Sequence, residues 1–323
     1  MIAIILIGFL SLSFAPQPAS AAGAASVTVN GATLNAGTPY WAIGGTTYTT
    51  EPAVWNAYFN ASTSTLTLSS AVLSTATAAP IGAVNVYDCL VYAPGDLHIV
   101  LIGTNTLTCI KDTANIATGI AVAGSLTISG SGSAAITAEN TSTGIYAAAC
   151  GIFASGAAQI LSGAITADVT ALFLTHGIYA DQLILDSGDG RFYGYGAGGY
   201  GAGFADADVL YSGGVFTFIG NRCALVNESA LTNATYSLTD GLIYVSEHTD
   251  GSNLRRWTSE ADGMLAGHGL NPSIFKYVQF RPYTVEPQTG DHAHPWLWAG
   301  IAAGALLCAA GAALAIRKLR RKG

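Results

Sequence analysis

Basic side chains are scarce in this sequence. Of its 323 residues only twelve are Lys or Arg, and five of those fall between Arg317 and the C-terminal Gly323. Residues 22–289 keep seven (Lys111, Arg191, Arg222, Arg255, Arg256, Lys276, Arg281) against 18 Asp and Glu, a formal charge of −11. A nucleic-acid surface needs clustered Lys and Arg to neutralise phosphates, so that class of partner is excluded. Cysteine is equally sparse: five residues, none in Cys-x-x-Cys spacing, which excludes the common zinc sites. Cys308 lies in the apolar C-terminal run. Cys89, Cys109, Cys150 and Cys223 lie in or beside strand-like stretches. Pairing of 109 with 150, or 89 with 109, is conceivable in an exported chain, but small buried apolar thiols are the favoured reading. Helical periodicity is also missing throughout 22–289. Charge is low, at 10% of the chain. Such a chain would be disordered if apolar residues were scarce too, but Ile, Leu, Val, Phe and Tyr recur regularly, so the body is expected to fold.

Long apolar runs occur only at the two ends. Met1 to Phe14 is apolar and is followed by Pro16, Pro18 and the small-x-small triplet Ala19-Ser20-Ala21. This predicts a signal peptide over 1–21 and a mature chain from Ala22, although no Lys or Arg precedes the run. At the other end, Trp296 to Ile316 carries no charge over 21 residues, enough for a transmembrane helix across ~30 Å of hydrocarbon. Trp296 and Trp298 stand at its outer edge, and the basic tail predicts a cytoplasmic C-terminus, with the body extracellular. Just before it, Pro287, Gln288, Thr289 and Gly290 resemble the sortase sorting signal of Gram-positive bacteria, Leu-Pro-x-Thr-Gly, with Glu286 where Leu is usual. That resemblance implies cleavage after Thr289 and attachment of Thr289 to peptidoglycan. The alternative is a plain membrane anchor over 296–316.

Between the ends a phrase repeats: a Gly-Ile pair, an alternating strand, Ser-Gly, and a second short strand. It occurs from Gly119-Ile120 through Ser129-Gly130, from Gly151-Ile152 through Ser162-Gly163, from Gly177-Ile178 through Ser187-Gly188, and from Gly203-Phe204 through Ser212-Gly213. The Ser-Gly marks are 33, 25 and 25 residues apart. Alternation at period two buries one strand face. Gly and Ser at fixed offsets mark bends. Short strands in a period near 25 predict an all-β fold, a right-handed parallel β-helix; an antiparallel sandwich is the other architecture weighed. The expected division is a signal peptide over 1–21, a β cap over 22–60, the helix over 61–250, a C-terminal cap over 251–285, and the sorting signal, transmembrane helix and tail over 286–323. Asn30-Gly31 predicts a hairpin in the first cap.

Ser64 to Leu68, Leu97 to Asn105, Gly124 to Gly130 and Lys276 to Val278 resemble the β-helical carbohydrate-binding-domain surface proteins of Gram-positive bacteria, which share the pectate-lyase-like superhelix. The resemblance covers roughly 60–280. It implies polysaccharide binding, sometimes with Ca²⁺, and supplies no catalytic residue. The residues themselves offer two candidates. Tyr193, Tyr195 and Tyr200 lie in a glycine-rich stretch, read as a loop whose rings could stack on sugars. Asp181, Asp206 and Asp208 offer oxygen ligands for Ca²⁺, with Asp186, Asp189 and Arg191 nearby. The competing reading for these Asp residues is local hydrogen bonding in turns. A non-catalytic polysaccharide-binding module is the first expectation, with no required cofactor. A lyase or hydrolase on the same fold, needing a carboxylate cluster beside Arg191, and an adhesin for protein partners are the alternatives.

Overall fold

The computed structural model describes residues 22–282 except 82–84, 145–146, 205–207, 228–234, 239–240 and 258–274. The expected signal peptide, the Pro287–Gly290 motif, the 296–316 segment and Asp206 lie outside the described residues. What is described is all β, with no helix long and apolar enough to cross a membrane.

The chain opens with β1 (Ser26–Val29), β2 (Ala32–Asn35), β3 (Tyr40–Ala42), β4 (Thr46–Tyr48), β5 (Ala57–Asn60), β6 (Thr65–Ser69), β7 (Val72–Leu73) and β8 (Thr77–Ile81). Five coils of three strands follow: β9 (Asn85–Ala93), β10 (Leu97–Ile102), β11 (Thr104–Lys111); β12 (Ile116–Val122), β13 (Leu126–Gly130), β14 (Ser133–Asn140); β15 (Ala148–Ala154), β16 (Ala157–Ile160), β17 (Ala164–Ala171); β18 (Leu174–Ala180), β19 (Gln182–Leu185), β20 (Asp189–Tyr195); β21 (Gly198–Phe204), β22 (Asp208–Tyr211), β23 (Val215–Gly220). The chain then runs through β24 (Cys223–Asn227), β25 (Thr235–Leu238), β26 (Leu242–Ser246), β27 (Arg255–Trp257) and β28 (Tyr277–Arg281).

Each coil gives one strand to each of three parallel sheets. The first runs β9-β12-β15-β18-β21-β24, the second β6-β10-β13-β16-β19-β22-β25, and the third β7-β11-β14-β17-β20-β23. The molecule is therefore a parallel β-solenoid. Like residues stack along its bore. Leu66, Ile99, Ile128, Ile160, Leu185 and Tyr211 are partners in successive strands of the second sheet, and all are buried. Each such aliphatic chain removed from water stabilises the fold by about 1.5–3 kcal/mol.

The glycines of the repeat have two different jobs. In the first sheet, Gly-Ile places glycine where the bore is narrowest. A Cβ on Gly151 would lie 2.5 Å from the Gly177 carbonyl and 2.8 Å from Ala167 Cβ. The fourth pair is not where the sequence pattern puts it. Gly201-Ala202 stands opposite Gly177-Ile178, while Gly203 faces Tyr179, one position pair further along. At the corner from the second to the third sheet, Gly130, Gly163 and Gly188 adopt φ of 114°, 91° and 102°, a region L-residues avoid. In the next coil the left-handed residue is Gly214, just past Ser212-Gly213.

Coil length is not constant. In the second sheet Leu97 pairs with Leu126, Leu126 with Ala158, Ala158 with Leu183 and Leu183 with Val209, steps of 29, 32, 25 and 26 residues. The difference lies in the connection from the third sheet back to the first, which is longest between Asn140 and Ala148 and shortest between Ala171 and Leu174.

Antiparallel strands flank the coils. β1 and β2 form the expected hairpin, with Asn30 and Gly31 at φ 50° and 84°, and β1 and β8 both pair with β9. Asn30 Oδ1 accepts the amides of Ser74 (2.7 Å) and Thr75 (2.6 Å). β3, β4 and β5 extend the second sheet beyond β6. At the far end β28 pairs antiparallel with β23 and β26, so parallel stacking in the third sheet stops at β23. Cys89, Cys109, Cys150 and Cys223 are all buried, and Cys89 and Cys109 are free thiols, so neither conceivable disulfide is formed.

Candidate functional site

Strand β20 alternates strictly. Gly190, Phe192 and Gly194 face the bore, while Asp189, Arg191, Tyr193 and Tyr195 face outward from the third sheet. Its neighbour β17 sends Thr166, Asp168 and Thr170 to the same side. The parallel register sets Thr166 opposite Arg191, Asp168 opposite Tyr193 and Thr170 opposite Tyr195. One strand face thus combines two phenols, two carboxylates, a guanidinium and two hydroxyls.

The two rings are in contact, with centroids 4.5 Å apart and planes at 70°. Tyr195 is 46% exposed. Burial, and then the hydrogen bond it shares with Tyr195, pushes the Tyr193 phenol well above its ordinary range, so it is neutral and able to donate near pH 7. Beyond Tyr195 the backbone is tied to the preceding coil: Ala197 N donates to Leu172 O (3.3 Å) and Gly198 N to Phe173 O (2.7 Å). Leu172 and Phe173, 58% and 46% exposed, stand at this corner of the third and first sheets and add apolar surface.

The stretch read as a loop is therefore two strands, β20 and β21, joined by Gly196-Ala197. Its glycines serve close approach. A Cβ on Gly194 would sit 2.2 Å from the Tyr200 carbonyl, and one on Gly199 would sit 2.4 Å from the Gly194 carbonyl. Tyr200 belongs to the first sheet. It is only 7% exposed and is stacked on His176 at 5.4 Å, so it does not join Tyr193 and Tyr195. The outer face of that sheet holds an apolar hollow lined by Tyr87, Phe153, His176 and Tyr179, all buried, with Phe153 and Tyr179 stacked at 5.5 Å.

The acidic candidates are dispersed. Asp181 sits at the corner from the first to the second sheet, its amide bonded to Gly156 O at 2.9 Å. Asp186, at the next corner, accepts from Ser212 Oγ at 2.6 Å. Asp189 begins β20. Asp206 lies outside the described residues, and of Asp208 only the backbone, the first residue of β22, is described. Among the described residues no group of three or more His, Cys, Asp or Glu could hold a metal ion. Asp168, 25 residues before Tyr193, is the carboxylate that register sets directly opposite Tyr193 on the face of Arg191. Sequence reading passed over it, together with Leu172 and Phe173. One coil length subtracted from Tyr193 would have found it.

No protein-family model, no curated protein and no solved structure matches this chain significantly.

Proposed function

We propose that this chain is a polysaccharide-binding module displayed at the cell surface, and that the contact is made by the outer face of the third sheet around Tyr193 and Tyr195. The observation carrying this reading is the tyrosine pair, Tyr195 exposed and Tyr193 half-buried, set on a strand among Asp168, Arg191 and Thr170. Aromatic rings offer apolar faces to sugar C–H groups, and the flanking carboxylate, guanidinium and hydroxyls match sugar hydroxyls on either side. Strands hold these groups more precisely than a loop would. The N-terminal apolar run, the Pro287–Gly290 motif and the 296–316 segment support export and anchoring. The preference of twisted parallel strands for right-handed crossovers supports a right-handed solenoid.

Asp168 and Arg191 on one face also leave room for a lyase or hydrolase reading, and exposed Leu172 and Phe173 for a protein partner. A glycan array probed with the full chain, with and without Ca²⁺, separates them. Saturable binding without release of shortened or unsaturated sugars is the expected result. Product release would make the protein an enzyme. An array without hits would contradict the glycan reading and leave the protein-partner reading.

A further inference from the structure

The second sheet presents a separate outer face with a different character. From β3 to β19 its strands contain no Asp, Glu, Lys or Arg. Carboxylates nearby are at the corners, as at Asp96, Asp181 and Asp186, and in the loop before β5 at Glu51. No basic residue occurs anywhere between residues 22 and 110. Among the described residues, His98 is the one imidazole facing outward from β5, β6, β10, β13, β16 and β19. Burial pushes its pKa down, which leaves it neutral at pH 7, and its Nε2 lies 2.7 Å from Ser129 Oγ of the next coil.

Register aligns this face into files that cross the strands. Asn60, Thr65, His98, Thr127, Gln159 and Ile184 are successive partners. Six strands at about 4.8 Å make that file roughly 24 Å long. The neighbouring file runs Tyr48, Tyr40, Tyr58, Thr67, Val100 and Ser129. At its N-terminal end the face carries an aromatic group. Tyr40 and Tyr58 stack at 4.7 Å, and Trp55 stands 6.1 Å from each. All three rings are partly exposed. Their support is built in: Trp55 Nε1 donates to Glu51 Oε1 (3.2 Å), and Asn56 ties the loop to the sheet, accepting from Ile43 N (3.0 Å) and donating to Ser69 O (3.0 Å).

We infer that this face is a second binding surface, and that its occupant is an uncharged linear polysaccharide lying across the strands, parallel to the solenoid axis. A face whose strands carry no cation gives a uronate, phosphate or sulfate nothing to pair with, and one whose strands carry no carboxylate, with Glu51 already bonded to Trp55, gives a polycation little. It gives a neutral polymer hydroxyl and amide partners at Asn60, Thr65, Thr127, Ser129 and Gln159, an imidazole at His98, and aromatic side chains at one end. A flat file of this length fits an extended chain better than a single sugar. The inference uses different residues from the Tyr193–Tyr195 site and shares with that reading only the class of ligand.

The test is depletion of the full chain from solution by insoluble neutral polysaccharides (cellulose, chitin and β-1,3-glucan), with soluble polygalacturonate as the anionic counterpart. The variants are Trp55→Ala, Val100→Glu and Tyr195→Ala, with circular dichroism to confirm that each is folded. Depletion by at least one neutral polymer, weakened at least about tenfold by Trp55→Ala and by Val100→Glu, and by each more than by Tyr195→Ala, is the expected result. Absence of depletion by all three, or depletion indifferent to both Trp55→Ala and Val100→Glu, would overturn the inference. Loss with Tyr195→Ala alone would overturn it too, while upholding the third-sheet site. Preference for polygalacturonate would contradict the neutral assignment.

Discussion

Asn105 shows how much a single polar side chain can do in a solenoid. It is fully buried, accepts the amide of Ala71 from the preceding coil (2.9 Å), and donates to Ile102 O (3.3 Å) and to Ser133 O of the following coil (3.0 Å). Asn105→Ala strands a buried donor and two acceptors, at a cost of about 1–3 kcal/mol for each group not rescued by water. The urea midpoint is therefore expected to fall clearly in Asn105→Ala and to change little in the exposed control Thr104→Ala. His98 makes stability depend on pH. Its folded pKa is depressed by burial below the ordinary 6.5, so the unfolded chain binds the proton more readily. Its contribution is intact above pH 6.5 and is lost as pH falls through that value. Urea titrations across pH 7.5 to 5 should show the loss, and His98→Gln should reduce the slope. Cys89 is held by burial, then by Cys109 and Asp88, at about 12. Since the thiolate is the nucleophile, native protein at pH 8 should leave Cys89 unalkylated by iodoacetamide, and unfolded protein should not. Peptide mass spectrometry reads both states.

At the scale of the strand, alternation was legible because burial has a period of two. β13 and β19 lie where Leu126-Thr-Ile128 and Leu183-Ile-Leu185 predict them, and β16 takes in Gln159 and Ile160 of the predicted Gln159-Ile-Leu161 but ends before Leu161. Register was less legible, since it depends on connections that no strand pattern encodes. The seven residues between Asn140 and Ala148, where later coils use two, lengthen one step to 32, and no periodicity inside the strands signals this. The glycine run from Gly194 to Gly203 was misread for a related reason. Glycine marks flexibility and close approach alike, and only the stacking of β20 beside β21 tells which. Gly151→Ala tests the close-approach account. Its new methyl would meet the Gly177 carbonyl and Ala167, so it should destabilise by about 1–3 kcal/mol. The same change at Gly144, where the nearest atom is Ser142 Oγ at 3.4 Å, should cost less. Thermal unfolding of the two variants gives the comparison.

At the scale of the whole molecule, the solenoid turns a sequence with few charges into three faces of distinct chemistry. The first-sheet face is apolar and buried, the second is uncharged and flat, and the third carries Arg191, Asp168 and the tyrosine pair. The tyrosines were legible as aromatic residues in a polar setting. Their partners were not, because Asp168 and Thr170 arrive from the preceding coil; Trp55, beside Tyr40 and Tyr58 on the second sheet, was missed because it lies in the loop before β5, a stretch in which the repeat is absent. The measurement that bears most directly on the account is titration calorimetry of the full chain and of Tyr195→Ala against the strongest array ligand. Tyr195 is exposed and makes no bore contact, so its replacement should leave the fold intact while weakening binding about tenfold, roughly 1.4 kcal/mol. Equal affinity of the two proteins would contradict the placement of the binding surface on the third sheet.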